Sequence, residues 1–178
     1  MSSILKVDQI QNSSGQSAIT IDTSGNLSTS NNLSVGRMAL TSPIAFQANK
    51  TSMDAASGGT NINPVSFQTT NLNLTGGLSG GFSTSTYKFT APVAGLYQFN
   101  WAIMAHRYSA SYAGVYFYKN DVYYAKVQTF NYSFSSWQNF DGGVTVQLAA
   151  GDTAHIALHH DSNAQIDNSG FFSGHLIG

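Results

Sequence analysis

Three histidines and two aspartates in the last quarter of the chain are the residues best suited to bind a metal ion. They are His155, His159, His160, Asp161 and Asp167. Side chains alternate between the faces of a β-strand, so His155 and His159 would lie opposite His160. If three copies surrounded an axis, one histidine from each could coordinate a metal there. Because the spacing matches no common metal-ligand set, we predict packed or solvent-facing histidines and no metal or other cofactor. The alternative is a metal site in which His155 and His159 are the candidate ligands.

The aspartates do not form the kind of pair that hydrolases use. Glycan hydrolysis usually needs two closely placed carboxylates, but Asp152 falls in a predicted turn, and Asp161 and Asp167 fall in predicted loops. The chain also has no cysteine and no Gly-x-Ser-x-Gly nucleophile motif. We therefore predict a binding protein and not an enzyme.

Aromatic residues are concentrated between positions 108 and 140, where twelve of them occur. About half would pack in a core or between subunits, and Tyr116 and Tyr118 would share a strand face opposite Phe117. Tyrosine and tryptophan mixed with asparagine and serine in loops form adaptable binding surfaces. Sugars suit such surfaces because a sugar face stacks on an aromatic ring. The candidate receptor-binding residues are Tyr108, Tyr112, Asn131, Tyr132, Ser135 and Trp137.

The composition indicates which elements must position these residues. Only 8% of the residues are charged, against about 25% in typical soluble domains, and all eight acidic residues are aspartates. Scarce Glu and Lys disfavour helices, while abundant Thr, Tyr, Phe and Val favour strands. The net charge is −1 without a basic cluster, and no apolar run reaches about 18 residues. We therefore expect no nucleic-acid partner and no membrane insertion.

The clearest strand is in residues 88–101, KFTAPVAGLYQFNW. After a Pro-x-x-Gly turn, side chains alternate so that Tyr97, Phe99 and Trp101 share one side of a half-buried antiparallel strand. A tight hairpin is predicted at 119–121. Further strands are predicted at residues 45–48, 65–75, 114–118, 122–126, 141–148, 153–159 and 170–177. This spacing, without any helical period, predicts an all-β sandwich or jelly roll.

Residues 1–40 form a separate region in which short apolar pairs alternate with turn clusters at 12–15, 23–26 and 30–32. Strands this short cannot bury a core alone. One interpretation is a disordered tail. The other is a stem that becomes stable when several chains intertwine, and the recurrence of apolar pairs between turns favours it. We place the domain boundary after residue 40, with the second domain at 41–178.

The opening segment resembles the N-terminal segments of bacteriophage virion proteins, especially fibre proteins of marine and cyanobacterial phages. The similarity is carried by KVDQIQ at 6–11 and by IDTSGNL at 21–27. It implies a segment that anchors the protein to the virion. The apolar residues that would make this anchor are Ile4, Leu5, Val7 and Ile10.

Residues 43–178 resemble the globular head of complement component 1q, within the tumour-necrosis-factor-like jelly rolls. Five motifs occur in the family's order, although Asp121 replaces the family's glycine in the third. They are Ile44-Ala45-Phe46; Phe89-Thr90-Ala91-Pro92 with Gly95, Tyr97 and Phe99; Lys119-Asn120; Leu148 with Gly151 and Asp152; and Phe172-Ser173-Gly174-His175-Leu176.

The second resemblance implies a ten-stranded jelly roll that assembles as a homotrimer, with binding and not catalysis as its activity. The first and last strands would lie near the base, where a stem would leave, and the apical loops would be distal. Residues expected in the core or the trimer contact are Phe46, Phe89, Tyr97, Phe99, Trp101, Phe172 and Leu176.

Together the two resemblances lead to a hypothesis about function. The chain would be a homotrimeric short tail fibre or spike on the surface of a phage virion. Residues 1–40 would dock onto other virion proteins, and the head would bind a glycan or protein receptor on the host surface. The alternative is a capsid decoration (cement) or head-fibre protein, and a third class is a lectin-like binding module outside any virion.

Overall fold

The computed structural model of the 178-residue chain describes residues 9–11, 13–15, 17–25, 27–29, 43–107, 112–130 and 136–177. Fourteen β-strands and no helix occur in these ranges. Accordingly, the described part contains no helix that is long and apolar enough to cross a membrane. The chain divides into two compact units, Met1–Leu40 and Thr41–Gly178.

The first unit contains a three-stranded antiparallel sheet with the strand order β1-β2-β3. Its strands are β1 (Gln9–Gln11), β2 (Ser17–Ile21) and β3 (Leu27–Thr29). The turn clusters predicted at 12–15 and 23–26 connect them, and Gly25 has a φ of 84° while its N–H donates to the Asp22 carbonyl at 2.9 Å. Ile10 is 51% exposed. The other predicted anchor residues, Ile4, Leu5 and Val7, lie outside the described residues.

The second unit, which we call the head, is a sandwich of two antiparallel sheets. Its strands are β4 (Ile44–Asn49), β5 (Asp54–Ala56), β6 (Thr69–Thr75), β7 (Gly81–Ser83), β8 (Lys88–Thr90), β9 (Gly95–Arg107), β10 (Ala113–Lys119), β11 (Val122–Phe130), β12 (Gln138–Leu148), β13 (Thr153–His160) and β14 (Ala164–Leu176). One sheet has the order β11-β10-β13-β8-β7 and the other β12-β9-β14-β4-β6, while β5 pairs with β14. The two sheet paths contain ten strands, which confirms the predicted all-β jelly-roll sandwich.

Two local predictions were wrong. Residues 65–68 are not a strand, although Val65 and Phe67 are buried. The two side chains are still buried because the Val65 N–H donates to the Ile156 carbonyl at 2.9 Å, which holds the segment against β13. Asp167 is not in a loop, since β14 begins at Ala164 and passes through it with a register shift.

The core between the sheets is strongly aromatic. Phe46, Gly174 and Phe99 are direct neighbours across β4, β14 and β9. A Cβ added to Gly174 would come within 2.6 Å of the Phe99 ring and 2.8 Å of the Phe46 ring, so the closing motif needs glycine here to let the two rings approach. The predicted core residues that are buried are Phe46, Phe89, Tyr97, Phe99, Trp101 and Phe172. Leu176 is partly buried and packs against the same core.

Backbone hydrogen bonds join two of the sequence motifs. The Ala91 N–H donates to the Asp152 carbonyl at 2.8 Å, and the Gly151 N–H donates to the Ala91 carbonyl at 2.9 Å. The Tyr97 hydroxyl donates to the Val93 carbonyl at 2.9 Å, which closes the turn before β9. The motif residues therefore position strand ends, which explains why their types matter for this fold.

The predicted hairpin at 119–121 is joined by side-chain contacts to the turn that contains Asp152. Asn120 and Asp121 have φ values of 52° and 62°, a left-handed pair that suits a two-residue hairpin turn. The Asn120 amide donates to Asp152 at 2.8 Å, the Ala149 N–H donates to Asp152 at 2.8 Å, and Lys119 forms an ion pair with it at 3.0 Å. These contacts, with the Asn120 bond foremost, lower the pKa of Asp152 to about 2. Asp152 is thus a structural carboxylate.

Candidate binding surface

The outer face of the five-stranded sheet carries a cluster of four tyrosines and two histidines. Alternation in β10 buries Phe117 in the core and turns Tyr116 and Tyr118 outward, as predicted. The strand register places Tyr118 beside His155 of β13 on one side and beside Tyr123 of β11 on the other. We call the surface formed by Tyr112, Tyr116, Tyr118, Tyr123, His155 and His159 the Tyr–His layer.

The rings of this layer stack on one another. The centroids of Tyr116 and His159 are 4.0 Å apart with an interplanar angle of 18°, and those of Tyr118 and His155 are 5.0 Å apart at 9°. His159 also stacks on Tyr118 at 5.9 Å. Ala157 of the same sheet is fully buried. The rings therefore form a packed second layer on the sheet, and each ring restrains its neighbours.

Hydrogen bonds fix the protonation of His159. The Asn61 amide nitrogen lies 3.2 Å from Nδ1 of His159, and the Tyr118 hydroxyl lies 2.7 Å from Nε2. Because an amide nitrogen only donates, Nδ1 accepts and Nε2–H donates to Tyr118. Burial, and after it the neighbouring His160, lower the pKa of His159. The imidazole is therefore neutral at pH 7.

His155 is also a neutral, bonded histidine. It is 1% exposed, and its Nε2 lies 2.7 Å from Oδ1 of Asn63, to which it donates. Its Nδ1 is 3.7 Å from a carboxylate oxygen of Asp121. Burial, followed by the charge of Lys88, lowers its pKa to about 4, although Asp121 acts in the opposite direction.

The two histidines share one sheet face, as their spacing predicted, but their nitrogens orient Asn61, Asn63 and Tyr118. Within the described residues, no group of three or more His, Cys, Asp or Glu side chains is arranged to hold a metal ion. The imidazoles act in this structure as the hydrogen-bonded frame of the Tyr–His layer.

Burial affects two tyrosine hydroxyls of the layer, those of Tyr112 and Tyr118. The hydroxyls of Tyr112 and Tyr116 share a short hydrogen bond. Burial first, and the Tyr116 hydrogen bond second, raise the pKa of Tyr112, and burial also raises that of Tyr118. Lys126 Nζ lies 5.6 Å from the Tyr112 ring centroid and 5.9 Å from that of Tyr116, which is within cation–π distance.

The predicted receptor-binding residues do not all fall in this layer. Tyr108, Asn131, Tyr132 and Ser135 lie outside the described residues. Tyr112 belongs to the layer. Trp137 is 37% exposed and packs edge-on against His106 at 5.4 Å, just before β12 of the other sheet.

Several residues of the surface were not among the predicted site residues, namely Asn61, Asn63, Tyr116, Tyr118, Tyr123 and Lys126. Alternation along β10 was a usable signal, since it placed Tyr116 and Tyr118 on one face. No local pattern indicates Asn61 or Asn63, because they reach this face from a segment about a hundred positions away from β13, at sequence separations of 98 and 92.

The outer face of the six-stranded sheet has a different chemistry. Its two central rows of paired residues carry no Lys, Arg or Asp, and they consist of Leu74, Ala45, His175, Gln98 and Thr145 and of Leu72, Gln47, Ser173, Asn100 and Gly143. We call these rows the amide face. Thr145 donates to Gln98 at 2.5 Å. A Cβ on Gly143 would lie 2.7 Å from Oδ1 of Asn100, so glycine makes room for the amides.

A groove of about 560 Å³ opens beside Asn61 and is lined in part by Met53, Asp54 and Pro64. Among the described residues that line it, Asp54 is the only carboxylate. That group is bound by the buried Lys50 at 3.0 Å and by the backbone N–H and hydroxyl of Ser66. Burial lowers the pKa of Lys50, and Asp54 opposes that shift. The carboxylate therefore supports the loop and is already occupied.

The two-sheet sandwich defines the class of the head as a jelly-roll domain. Residues 45–177 match the C1q domain family, and the chain belongs to that family. Its members are commonly trimeric, bind partners and are typically not enzymes. No curated protein matches the sequence.

Solved structures show the same fold. The globular domain of zebrafish complement 1qA protein is 20% identical, with a TM-score of 0.55, over 76% of this chain and 98% of that one. Eiger TNF from S. frugiperda is 12% identical, with a TM-score of 0.53, over 77% and 94%. Murine APRIL is 12% identical, with a TM-score of 0.52, over 75% and 99%. The head is therefore similar to C1q and TNF jelly rolls in fold.

Proposed function

We propose that the chain is a structural protein of a bacteriophage virion, in which three copies form a short tail fibre or spike. The head binds a receptor on the host surface, and residues 1–40 attach the trimer to other virion proteins. The observation that carries this proposal is the combination of a C1q-family head at 45–177 with a strand-and-turn segment before it. The phage-like motifs at 6–11 and 21–27 favour a virion as the location.

The amide face is the proposed surface of trimer contact. Leu72 and Leu74 on this face are 40% and 41% exposed although they are apolar. Apart from Ala45, His175 and Gly143, the rest of its two rows offers amides and hydroxyls that can pair across an interface without burying a charge, which would be costly. Trimerisation is common in the family, and burying Leu72 and Leu74 would stabilise the assembly.

The N-terminal sheet supports an anchoring role. Its strands have only three to five residues, and Ile10 and Ile21 are 51% and 37% exposed. A small sheet with exposed isoleucines gains stability when these side chains pack against another chain. Residues 1–40 therefore suit attachment to a partner, whether a second copy of this chain or a virion protein.

Binding by the head is tested with purified residues 41–178. The expected result is a soluble trimer that binds host cells and competes with whole phage. A folded trimer that does not bind host cells would contradict receptor recognition by the head.

Attachment and location are tested on virions. Phage whose protein lacks residues 1–35 should contain no head domain, because the anchor is gone, and normal incorporation would refute the anchor. In wild-type virions, a few tens of copies fit a tail fibre or spike. Several hundred copies would instead identify a capsid decoration protein.

A further inference from the structure

We propose that the Tyr–His layer is a carbohydrate-binding surface, and that its ligand is an uncharged, hydroxyl-rich saccharide. The inference rests on the proposed function, because it assigns the receptor chemistry to one face of the head. It differs from the sequence-based expectation, which placed recognition in loops and has only Tyr112 in common with this layer.

The hydroxyl groups of the layer are the first argument. A tyrosine hydroxyl has one hydrogen to donate and two lone pairs to accept with. Tyr118 accepts from His159, so its own O–H is left to donate outward. In the Tyr112–Tyr116 pair only one O–H is consumed, which leaves the other. A sugar hydroxyl also donates and accepts, so a row of such groups matches it without burying an unpaired donor.

Asn63 supplies a further polar group at the edge of the layer. His155 donates to its Oδ1, which leaves the amide N–H groups for a ligand. Asn61 is held by two hydrogen bonds. Its amide nitrogen donates to Nδ1 of His159, and its Oδ1 accepts from the His160 N–H at 3.3 Å. Because these partners already fix the side chains, binding a ligand costs little additional side-chain entropy.

The apolar part of the surface suits the C–H face of a sugar ring. Tyr123 is 53% exposed, and its ring lies 5.5 Å from that of Tyr116. Tyrosine offers a large contact area with few rotatable bonds, as in the recognition surfaces of antibodies. Stacking against His159 also holds Tyr116 in place.

The charges of this face favour an uncharged ligand. Lys88 and Asp121 form a pair at 2.6 Å. Lys126 lies over two tyrosine rings, and Asp161 at the other end accepts from the Tyr112 N–H at 3.1 Å. Two lysines and two aspartates cancel formally, so the face has no net charge with which to attract a polyanion such as a nucleic acid or a polyuronate.

The test uses the full-length protein on an array of defined neutral and acidic oligosaccharides, followed by titration calorimetry with the best probe. We expect binding to neutral oligosaccharides, with no gain from added carboxylates. Tyr123→Ala should weaken binding about tenfold or more. Tyr118→Phe should weaken it severalfold, because it keeps the ring and removes the donor.

Tyr124→Ala is the matched control. Tyr124 is the next residue in β11, is 48% exposed, and packs against Phe117 on the core side. The Tyr124→Ala protein should bind sugars as the wild type does. The comparison requires that Tyr123→Ala and Tyr124→Ala both keep the wild-type mass and melting temperature. If Tyr123→Ala does not fold, Tyr118→Phe decides, because the loss of one hydrogen bond leaves the head folded.

The outcomes separate the inference from the proposed function. Host-cell binding without any response to neutral oligosaccharides, or sugar binding that survives both Tyr123→Ala and Tyr118→Phe, would overturn the inference and leave the receptor role intact. Preferential binding of acidic probes would also overturn it. Sugar binding by a head that does not bind host cells would support the inference and refute the proposed function.

Discussion

The two outer faces of the head cover the same core but differ in how their side chains are held. In the Tyr–His layer, long aromatic side chains stack and bond to one another, so the surface is organised before any partner arrives. In the amide face, short amides lie over Gly143 and leave Leu72 and Leu74 exposed. The first arrangement suits a small polar ligand, and the second suits a broad contact with another subunit.

The comparison also shows that β-strand alternation assigns a residue to a face without assigning that face a role. Phe117 and Phe99 both point into the core, from opposite sheets, and their rings lie 5.1 Å apart. The residues next to them in sequence are Tyr116 and Tyr118 on one sheet and Gln98 and Asn100 on the other. The role of each outer face therefore depends on these outward-facing residues and on their neighbours in the adjacent strands.

Both outer faces depend on the aromatic core between the sheets. Phe99→Ala should destabilise the head by about 3 to 5 kcal/mol, because it empties a fully buried site among aromatic rings. Chemical unfolding measures this, with Val122→Ala, a 67% exposed position, as the control. A Phe99→Ala head with wild-type stability would show that the aromatic core is not the common support.

The next prediction separates the two faces. Gln47→Lys would put three like charges into the proposed trimer contact, a repulsion of about several kcal/mol. We expect a folded monomer by light scattering and an unchanged circular dichroism spectrum. Tyr123→Lys, on the other face, should remain a trimer. If Gln47→Lys is trimeric and Tyr123→Lys is not, the two faces have been assigned in the wrong order.

A pH prediction concerns the frame of the Tyr–His layer. The pKa of His155 is about 4 in the folded head and about 6.5 in an unfolded chain. Between these values the unfolded chain binds more protons, so stability is complete above about pH 6.5 and falls as the pH drops towards 4. The size is set by about 1.4 kcal/mol per pKa unit.

Melting temperatures measured between pH 7 and pH 4.5 test that prediction. His155→Gln can still donate to Asn63 but does not titrate, so its melting temperature should depend less on pH than that of the wild type. An identical pH dependence in both proteins would mean that other groups dominate. His155 lies on β13 of the five-stranded sheet, so this prediction concerns the face that carries the Tyr–His layer.

The Tyr118 hydroxyl contributes one hydrogen bond to the frame of the Tyr–His layer. Tyr118→Phe removes the acceptor of the His159 N–H while keeping the stacked ring, so it should cost about 1 kcal/mol of stability. Thermal unfolding at pH 7 measures the loss, with Tyr124→Phe as the control. A larger loss would show that His159 depends on Tyr118 more than a single hydrogen bond implies.

Much of the head could be predicted from sequence, because its signals are local. Strict alternation indicated which side of β9 is buried, the turn residues indicated the tight hairpin at 119–121, and the motif order indicated the jelly roll. No local signal excluded the strand that was wrongly predicted at 65–68. Its alternating burial comes from contact with β13 and not from regular strand pairing.

Local sequence patterns are sufficient to predict the all-β class, the core faces of the strands and the turns, since each depends on neighbours within a few positions. That Asn61, Asn63, Tyr118 and His159 form one surface is a result of tertiary folding, because residues nearly a hundred positions apart meet there. The tertiary structure also showed that His155 and His159 serve as neutral hydrogen-bonding groups. Their pKa values depend on burial and on partners that no local spacing specifies.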